Sequence, residues 1–134
     1  LGRVDDVIKV AGHRLGTKEL ESACLAVPGV AEAAVVGVAD EVKGALPEVF
    51  ISLDSGADEH EVAVAVNARI VKTIGKIARP RKVHVVPDMP KTRSGKIMRR
   101  ILAALADGRD PGDTATLANP EVVETIARQH VKAL

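Results

Sequence analysis

The stretch VAEAAVVGV, residues 30 to 38, most restricts how this 134-residue chain can fold. It is rich in β-branched residues and apolar at consecutive positions, so the strand it predicts is buried on both faces and reads as central. Its partner strand is EVFISL, residues 48 to 53, and the intervening ADEVKGALP reads as a loop or broad hairpin connection. A sheet whose middle is apolar on both sides needs amphipathic elements around it.

Those elements can be read from local signals. VDDVIKV, residues 4 to 10, and His13 to Leu15 predict two short strands joined at Ala11-Gly12. Thr17 is the expected N-cap of a helix with Leu20, Cys24 and Val27 on one face, ended by Pro28-Gly29. EVAVAVNARIV, residues 61 to 71, alternates like a strand, but Val62, Val66 and Ile70 recur at spacing four. Its length and alanine content favour a helix. KVHVV, residues 82 to 86, predicts a strand, and a helix is expected from about Gly95 to Ala106. DGRDPGD, residues 107 to 113, has linker composition. Asn119-Pro120 opens a last helix with Val123, Ile126, His130 and Val131 on its apolar stripe. The predicted class is α+β: a short two-stranded hairpin plus a roughly three-stranded central sheet flanked by helices.

Composition narrows function by exclusion. Nineteen basic against eighteen acidic residues give a net charge of +1, so no general electrostatic case exists for nucleic acid or membrane partners. Phe50 is the one aromatic residue of the Phe, Trp and Tyr type, which argues against base-stacking platforms. The single cysteine, Cys24, fits a reducing, cytoplasmic compartment. No apolar run approaches the roughly 18 residues of a membrane span. His13, His60, His84 and His130 lack metal-ligand spacing, so no metal ligand is assigned. The chain starts at Leu1 inside a patterned, charged stretch, which suggests a piece of a longer protein.

The segment PKTRSGKIMRR, residues 90 to 100, concentrates positive charge ahead of an apolar helical face formed by Ile97, Ile101 and Leu105. Lys91, Arg93 and Lys96 stand at or before the helix start, where cations are mildly unfavourable by about 0.3–1 kcal/mol each and an anion is welcome. Gly95 permits close backbone approach or an unusual dihedral. The segment does not fit the P-loop pattern: Pro90 occupies the first glycine position and Ile97 follows the lysine. Two readings stay open on physical grounds, an anion-binding site and a solvated basic face. Neither ranks Lys91, Lys96 and the arginines.

Read with the start of the chain, the segment resembles a known family. LGRVDDVIKVAGHRLGT, residues 1 to 17, is similar to the hinge and C-terminal-domain entry of the adenylate-forming acyl-CoA synthetases. PKTRSGKIMRR resembles that superfamily's catalytic-lysine motif, and GRDPGDTATLANPEVVE resembles the end of its acetyl- and propionyl-type members. The resemblance implies an AMP-forming acid–thiol ligase of the acetate–CoA type, using ATP, CoA and a magnesium ion held by ATP and a missing N-terminal domain. An acid and ATP give acyl-AMP and pyrophosphate; CoA then gives acyl-CoA and AMP. Residues 1–106 would be the small lid that rotates between these steps, and residues 107–134 a linker and terminal helix packed on it. A non-catalytic phosphate- or nucleic-acid-binding module is the alternative from another class.

The resemblance also implies roles for residues. Lys96 would act in adenylation and be the lysine that an acetyltransferase and a deacetylase switch. Arg3 would contact the ribose or phosphate region, Arg14 the ATP phosphates, and Asp5 would be the hinge. Ala11 and Gly12 would border the CoA pantetheine arm. The family's CoA-phosphate arginine aligns with Val71 here; the neighbouring Lys72 is a weak substitute, with Arg69 close by. Acetate is the first choice of acid and propionate the second, GRDPGD leaning toward propionate.

Overall fold

The computed structural model describes residues 7–132, so Arg3 and Asp5 lie outside the described residues, as do the side chains of His130 and Val131. The described residues form strands β1 (Val7–Val10) and β2 (His13–Gly16), helix α1 (Thr17–Leu25), strands β3 (Val30–Asp40) and β4 (Gly44–Leu53), and helix α2 (Glu59–Thr73). A 3-10 turn over Lys76–Ala78 leads to β5 (Lys82–Val85), α3 (Arg99–Ala106) and α4 (Glu121–Lys132). The strands make one sheet of α+β type, in the order β2-β1-β4-β3, with β5 also on β4. The two expected parts are visible in it: the β1–β2 hairpin joins β4 in register at Val10↔Gly44, and Ile8, Val10 and Leu15 pack it into the core.

β4, not β3, is the central strand. It pairs antiparallel with β3 along Val30–Asp40, and on its other side parallel with β5 and briefly with β1. β3 is apolar on both faces because helices cover both, not because strands flank it on both sides. Ala33 and Val35 join Val49 and Ile51 under α1 and α2, together with Leu20, Cys24, Val62, Val66 and Ile70. Ala34, Val36 and Val38 join Phe50 under α3 and α4, with Ile101, Leu102, Val123 and Ile126. The β3–β4 connection is also tighter than expected. Both strands extend into ADEVKGALP, and the Asp40 carboxylate accepts from the Val42 and Lys43 N–H groups across a short turn.

Two helix starts differ from expectation. Gly16 occupies the N-cap of α1, and Thr17 is a buried residue within the first turn. α3 begins at Arg99, so Lys91, Arg93 and Lys96 precede the helix. Helix α2 forms as expected, capped by the Asp58 carboxylate on the Glu61 N–H at 2.9 Å, with Val62, Val66 and Ile70 buried.

The central strand also buries a charge. Glu48 is fully buried on β4, with His84 Nε2 2.6 Å from its Oε1 and Arg81 Nε 2.6 Å from its Oε2. The Arg81 contact is an ion pair rather than an aligned hydrogen bond, which leaves Oε2 without a directed donor. His84 in turn stacks on Phe50 at 4.5 Å between ring centroids. Burial pushes the Glu48 carboxyl up, but the His84 hydrogen bond and the charges of His84 and Arg81 outweigh it and hold it below its ordinary 4.5. A lowered carboxyl stabilises the fold above its unfolded value, and that stability is lost as pH falls through the folded one. Thermal melts taken downward from pH 5 should therefore show a steeper loss in the native chain than in Glu48→Gln; parallel curves would contradict the assignment.

Candidate functional site

Residues 90 to 98 fold back on themselves as a small hairpin ahead of α3. Lys91 and Ile97 form an antiparallel bridge, the Met98 N–H donates to the Pro90 carbonyl at 2.8 Å, and the Thr92 N–H donates to the Lys96 carbonyl at 2.9 Å. The loop is Arg93-Ser94-Gly95, closed by the Gly95 N–H on the Thr92 carbonyl. Gly95 has φ +88°, the left-handed last position that a three-residue hairpin loop requires. A Cβ there would meet nothing within 4 Å, so the dihedral, not a close neighbour in this domain, calls for glycine. The Lys96 N–H is further held by Thr92 Oγ1 at 3.2 Å.

This geometry separates two lysines that charge and helix position alone could not rank. Lys91 Nζ is engaged by Glu32 at 2.7 Å and by Asp88 at 3.3 Å, and the Glu32 contact leads the effects that raise its pKa. Lys96 is exposed and has no ion-pair partner among the described residues. Lys91 anchors the hairpin to β3, and Lys96 is presented to solvent from it. Arg93, at the turn, is also exposed. The sequence marked it as basic but gave no reason to single it out.

The expected site residues fall into two groups. Ala11 and Gly12 form the turn between β1 and β2, with φ of +48° and +86°. Positive φ at both central positions is what a two-residue hairpin of right-handed twist demands, and it strains Ala11 but not Gly12. The Ala11 N–H donates to the Lys43 carbonyl at 2.8 Å, which places this turn at the β3–β4 connection. Arg14, exposed and opposite Lys9, belongs to the same hairpin. Lys72 lies exposed in the last turn of α2, which carries the chain back from the end of β4 to the start of β5, toward that same end. Val71 is half-buried, and Arg69 is exposed in a groove between α1 and α2 that Lys18 also lines.

The Lys96 hairpin sits at the opposite end, tied to Glu32, whereas the Ala11–Gly12 turn lies by Asp40 and Gly44. Eight residue steps of β3 lead from Glu32 to Asp40, so the two attachment points stand on the order of 25 Å apart at roughly 3.3 Å per residue. Lys96 and Arg14 thus belong to segments attached at different ends of β3. Cys24 belongs to neither group: burial, with the Glu21 charge adding to it, pushes its thiol up to about 12, far from nucleophilic use. Among the described residues no three His, Cys, Asp or Glu side chains converge in a way that could hold a metal, and no helix is long and apolar enough to cross a membrane.

Comparison with known proteins gives this geometry a context. Residues 19–96 match a family model described as the AMP-binding enzyme C-terminal domain, and the match ends on Lys96. The acetyl-coenzyme A synthetase of Penicillium chrysogenum is 51% identical over 127 residues, covering 93% of this chain and 19% of that protein. The acetyl-coenzyme A synthetase of Pyrobaculum aerophilum is 51% identical over 131 residues, covering 97% of this chain and 20% of that protein. Among solved structures, an acyl-CoA synthetase from Brucella canis superposes with a TM-score of 0.68 at 41% identity, over 76% of this chain and 19% of that one. MatB from Rhodopseudomonas palustris superposes with a TM-score of 0.71 at 31% identity, over 81% and 21%. The chain thus spans about a fifth of the length of these relatives. With its match covering more than half of the chain and ending on the hairpin lysine, the chain belongs to the AMP-binding enzyme C-terminal domain family.

Proposed function

We propose that this chain is the mobile lid of an AMP-forming ligase that joins a short carboxylic acid, acetate before propionate, to CoA. The observation that carries the reading is the placement of Lys96, unpaired and exposed on a braced hairpin, at the far end of the β3–β4 ladder from the Ala11–Gly12 turn. A domain built this way can offer one end to the first half-reaction and the other to the second by rotating about a hinge at Asp5.

In the first step a carboxylate oxygen attacks the α-phosphorus of ATP. The new P–O bond forms as the bond to pyrophosphate breaks. Two anions must approach, and the Lys96 ammonium placed between them lowers that barrier. Arg3 and Arg14 would bind the nucleotide in this pose. In the second step the CoA sulfur attacks the acyl carbon and AMP leaves with the bonding pair. The exposed Ala11–Gly12 turn would border the pantetheine arm, and Lys72 or Arg69 would meet CoA phosphates. Magnesium, when bound, would offset phosphate charge and would be held by ATP and the rest of the enzyme. Acetylation of Lys96 would abolish its charge, and the solvent exposure of that side chain supports access by an acetyltransferase. The enzyme would work in the cytoplasm.

Carboxylate-dependent exchange of pyrophosphate into ATP by the full-length enzyme tests the reading. Acetate should support the fastest exchange, and no exchange with any short acid would overturn it. A Gly12→Leu change probes the other end. A Cβ at Gly12 meets nothing within 4 Å, so the fold should lose only the strain of a left-handed leucine, about 1–2 kcal/mol. Thioester formation from supplied acyl-AMP should drop tenfold or more with pyrophosphate exchange intact; unaltered thioester formation would remove the turn from the CoA path.

A further inference from the structure

The hairpin that carries Lys96 is braced by a segment outside the family-matched residues. Residues 114 to 119 pass across its base. Thr92 and Leu117 form an antiparallel bridge, and the Ala118 N–H donates to the Lys91 carbonyl at 2.8 Å. Since Lys91 also bridges Ile97, the hairpin is the middle and outer part of a short three-strand ribbon whose third strand comes from the C-terminal segment. Leu117 is buried in the core beneath α3 and α4, which fixes that third strand to the body of the domain.

Asn119 locks the junction. Its Oδ1 accepts from the Lys91 N–H at 2.9 Å, and its Nδ2 donates to the Met89 carbonyl at 2.7 Å and to Asp88 Oδ2 at 3.2 Å. One acceptor and two donors are each used, and the amide cannot be flipped without facing donor to donor at Lys91. Asp88 accepts in addition from the Met89 N–H and pairs with Lys91, so Asn119 touches three of the four residues, 88 to 91, that enter the hairpin. On its other side, the Asn119 carbonyl accepts from the Val122 N–H at the start of α4, which ties the junction to that helix.

We propose that Asn119 is a positioning residue for Lys96: it sets where the ammonium stands by holding the base of the hairpin against the 114–119 strap. This rests on the reading of Lys96 as the adenylation lysine. Lys96 follows the hairpin loop directly and makes no ion pair among the described residues, so its placement comes from the backbone beneath it. A misplacement of about 1 Å can lower the rate of such a step by 10²-fold.

Two variants of the full-length enzyme test this against Lys96→Ala as the reference. Asn119→Ala removes all three contacts. Asn119→Asp keeps the acceptor for Lys91, loses both donations and sets a carboxylate beside Asp88. Both should slow pyrophosphate exchange by tenfold or more through kcat, with the KM for ATP changed less than twofold. Thioester formation from supplied acyl-AMP should stay at the native rate, which also reports that the domain is folded. Amide hydrogen exchange at Thr92, Lys96 and Met98 should speed up. If Lys96→Ala still adenylates, the reading of Lys96 is wrong and the positioning role goes with it. If Lys96→Ala is inactive while the Asn119 variants adenylate at the native rate, or lose both half-reactions equally, the positioning role alone is overturned. Should Asn119→Ala fail to fold, Asn119→Asp decides the matter by the same measurements.

Discussion

Lys96→Ala in the full-length enzyme should slow acyl-adenylate formation by roughly 10²–10³, the usual loss when one preorganised charge or donor is taken from a developing anionic centre. Thioester formation from supplied acyl-AMP should change by less than about twofold, because the reading assigns that step to the opposite end of the domain. The asymmetry follows from geometry. The Lys96 hairpin and the Ala11–Gly12 turn sit at the two ends of the β3–β4 ladder. Lys96→Arg tests the requirement for a point charge: a guanidinium keeps the charge but not the shape, so recovery should be partial. Stability should not move, since Lys96 is exposed and makes no ion pair among the described residues. Single-turnover measurement of each half-reaction decides the matter, and equal losses in both would refute the division of labour.

The largest stability effect is expected at an ion pair that closes the open edge of the sheet. The Glu21 carboxylate, from α1, accepts the Val35 N–H on the outer edge of β3 at 2.9 Å. It also receives Arg99 Nε at 2.8 Å and a terminal Arg99 nitrogen at 2.6 Å, a two-pronged contact across 78 residues of sequence. Glu21 is almost wholly buried, while the Arg99 side chain is 38% exposed. Arg99→Met should therefore strand a carboxylate with only one backbone donor. The loss should be about 3 kcal/mol, at the low end for breaking a buried pair because Arg99 keeps some water. The double variant Arg99→Met/Glu21→Gln should recover most of this, since a glutamine oxygen can still accept from Val35 and carries no charge. Chemical denaturation of the four species gives the coupling directly. If the double variant is no more stable than Arg99→Met, the stranded charge is not the cause.

Much of the fold was legible locally. The β1–β2 turn at Ala11-Gly12, the α2 face of Val62, Val66 and Ile70, and β5 all appear where short-range patterns placed them. Each depends on side-chain periodicity and turn chemistry within a few residues. The misreadings share one origin. An apolar pattern on both faces predicts a central β3, yet burial of a face reports what lies above the sheet, not what lies beside the strand. The apolar spacing predicts a helix from about Gly95, yet Gly95 adopts φ +88° and the chain turns back before α3 begins at Arg99. An apolar period that fits Ile97, Ile101 and Leu105 cannot show that Ile97 belongs to a hairpin strand.

By itself, the sequence determined the α+β class and the order of elements, because periodicity and turn chemistry are properties of the chain; the family followed from the resemblance of residues 1–17 and 90–100 to known motifs. It also narrowed the chemistry to a basic segment. The resemblance singles out Lys96, but the physical reason that sets it apart from Lys91 lies in the tertiary structure. Only folding brings Glu32 from β3 and Asp88 from the preceding loop to Lys91, so that one ammonium is neutralised by neighbours while the other stays exposed, with no ion pair among the described residues. Likewise only folding draws Asn119 to the base of the hairpin and Arg99 to Glu21. Contacts between residues 28 and 78 positions apart leave no periodic trace in the chain, because they are set by how the layers pack.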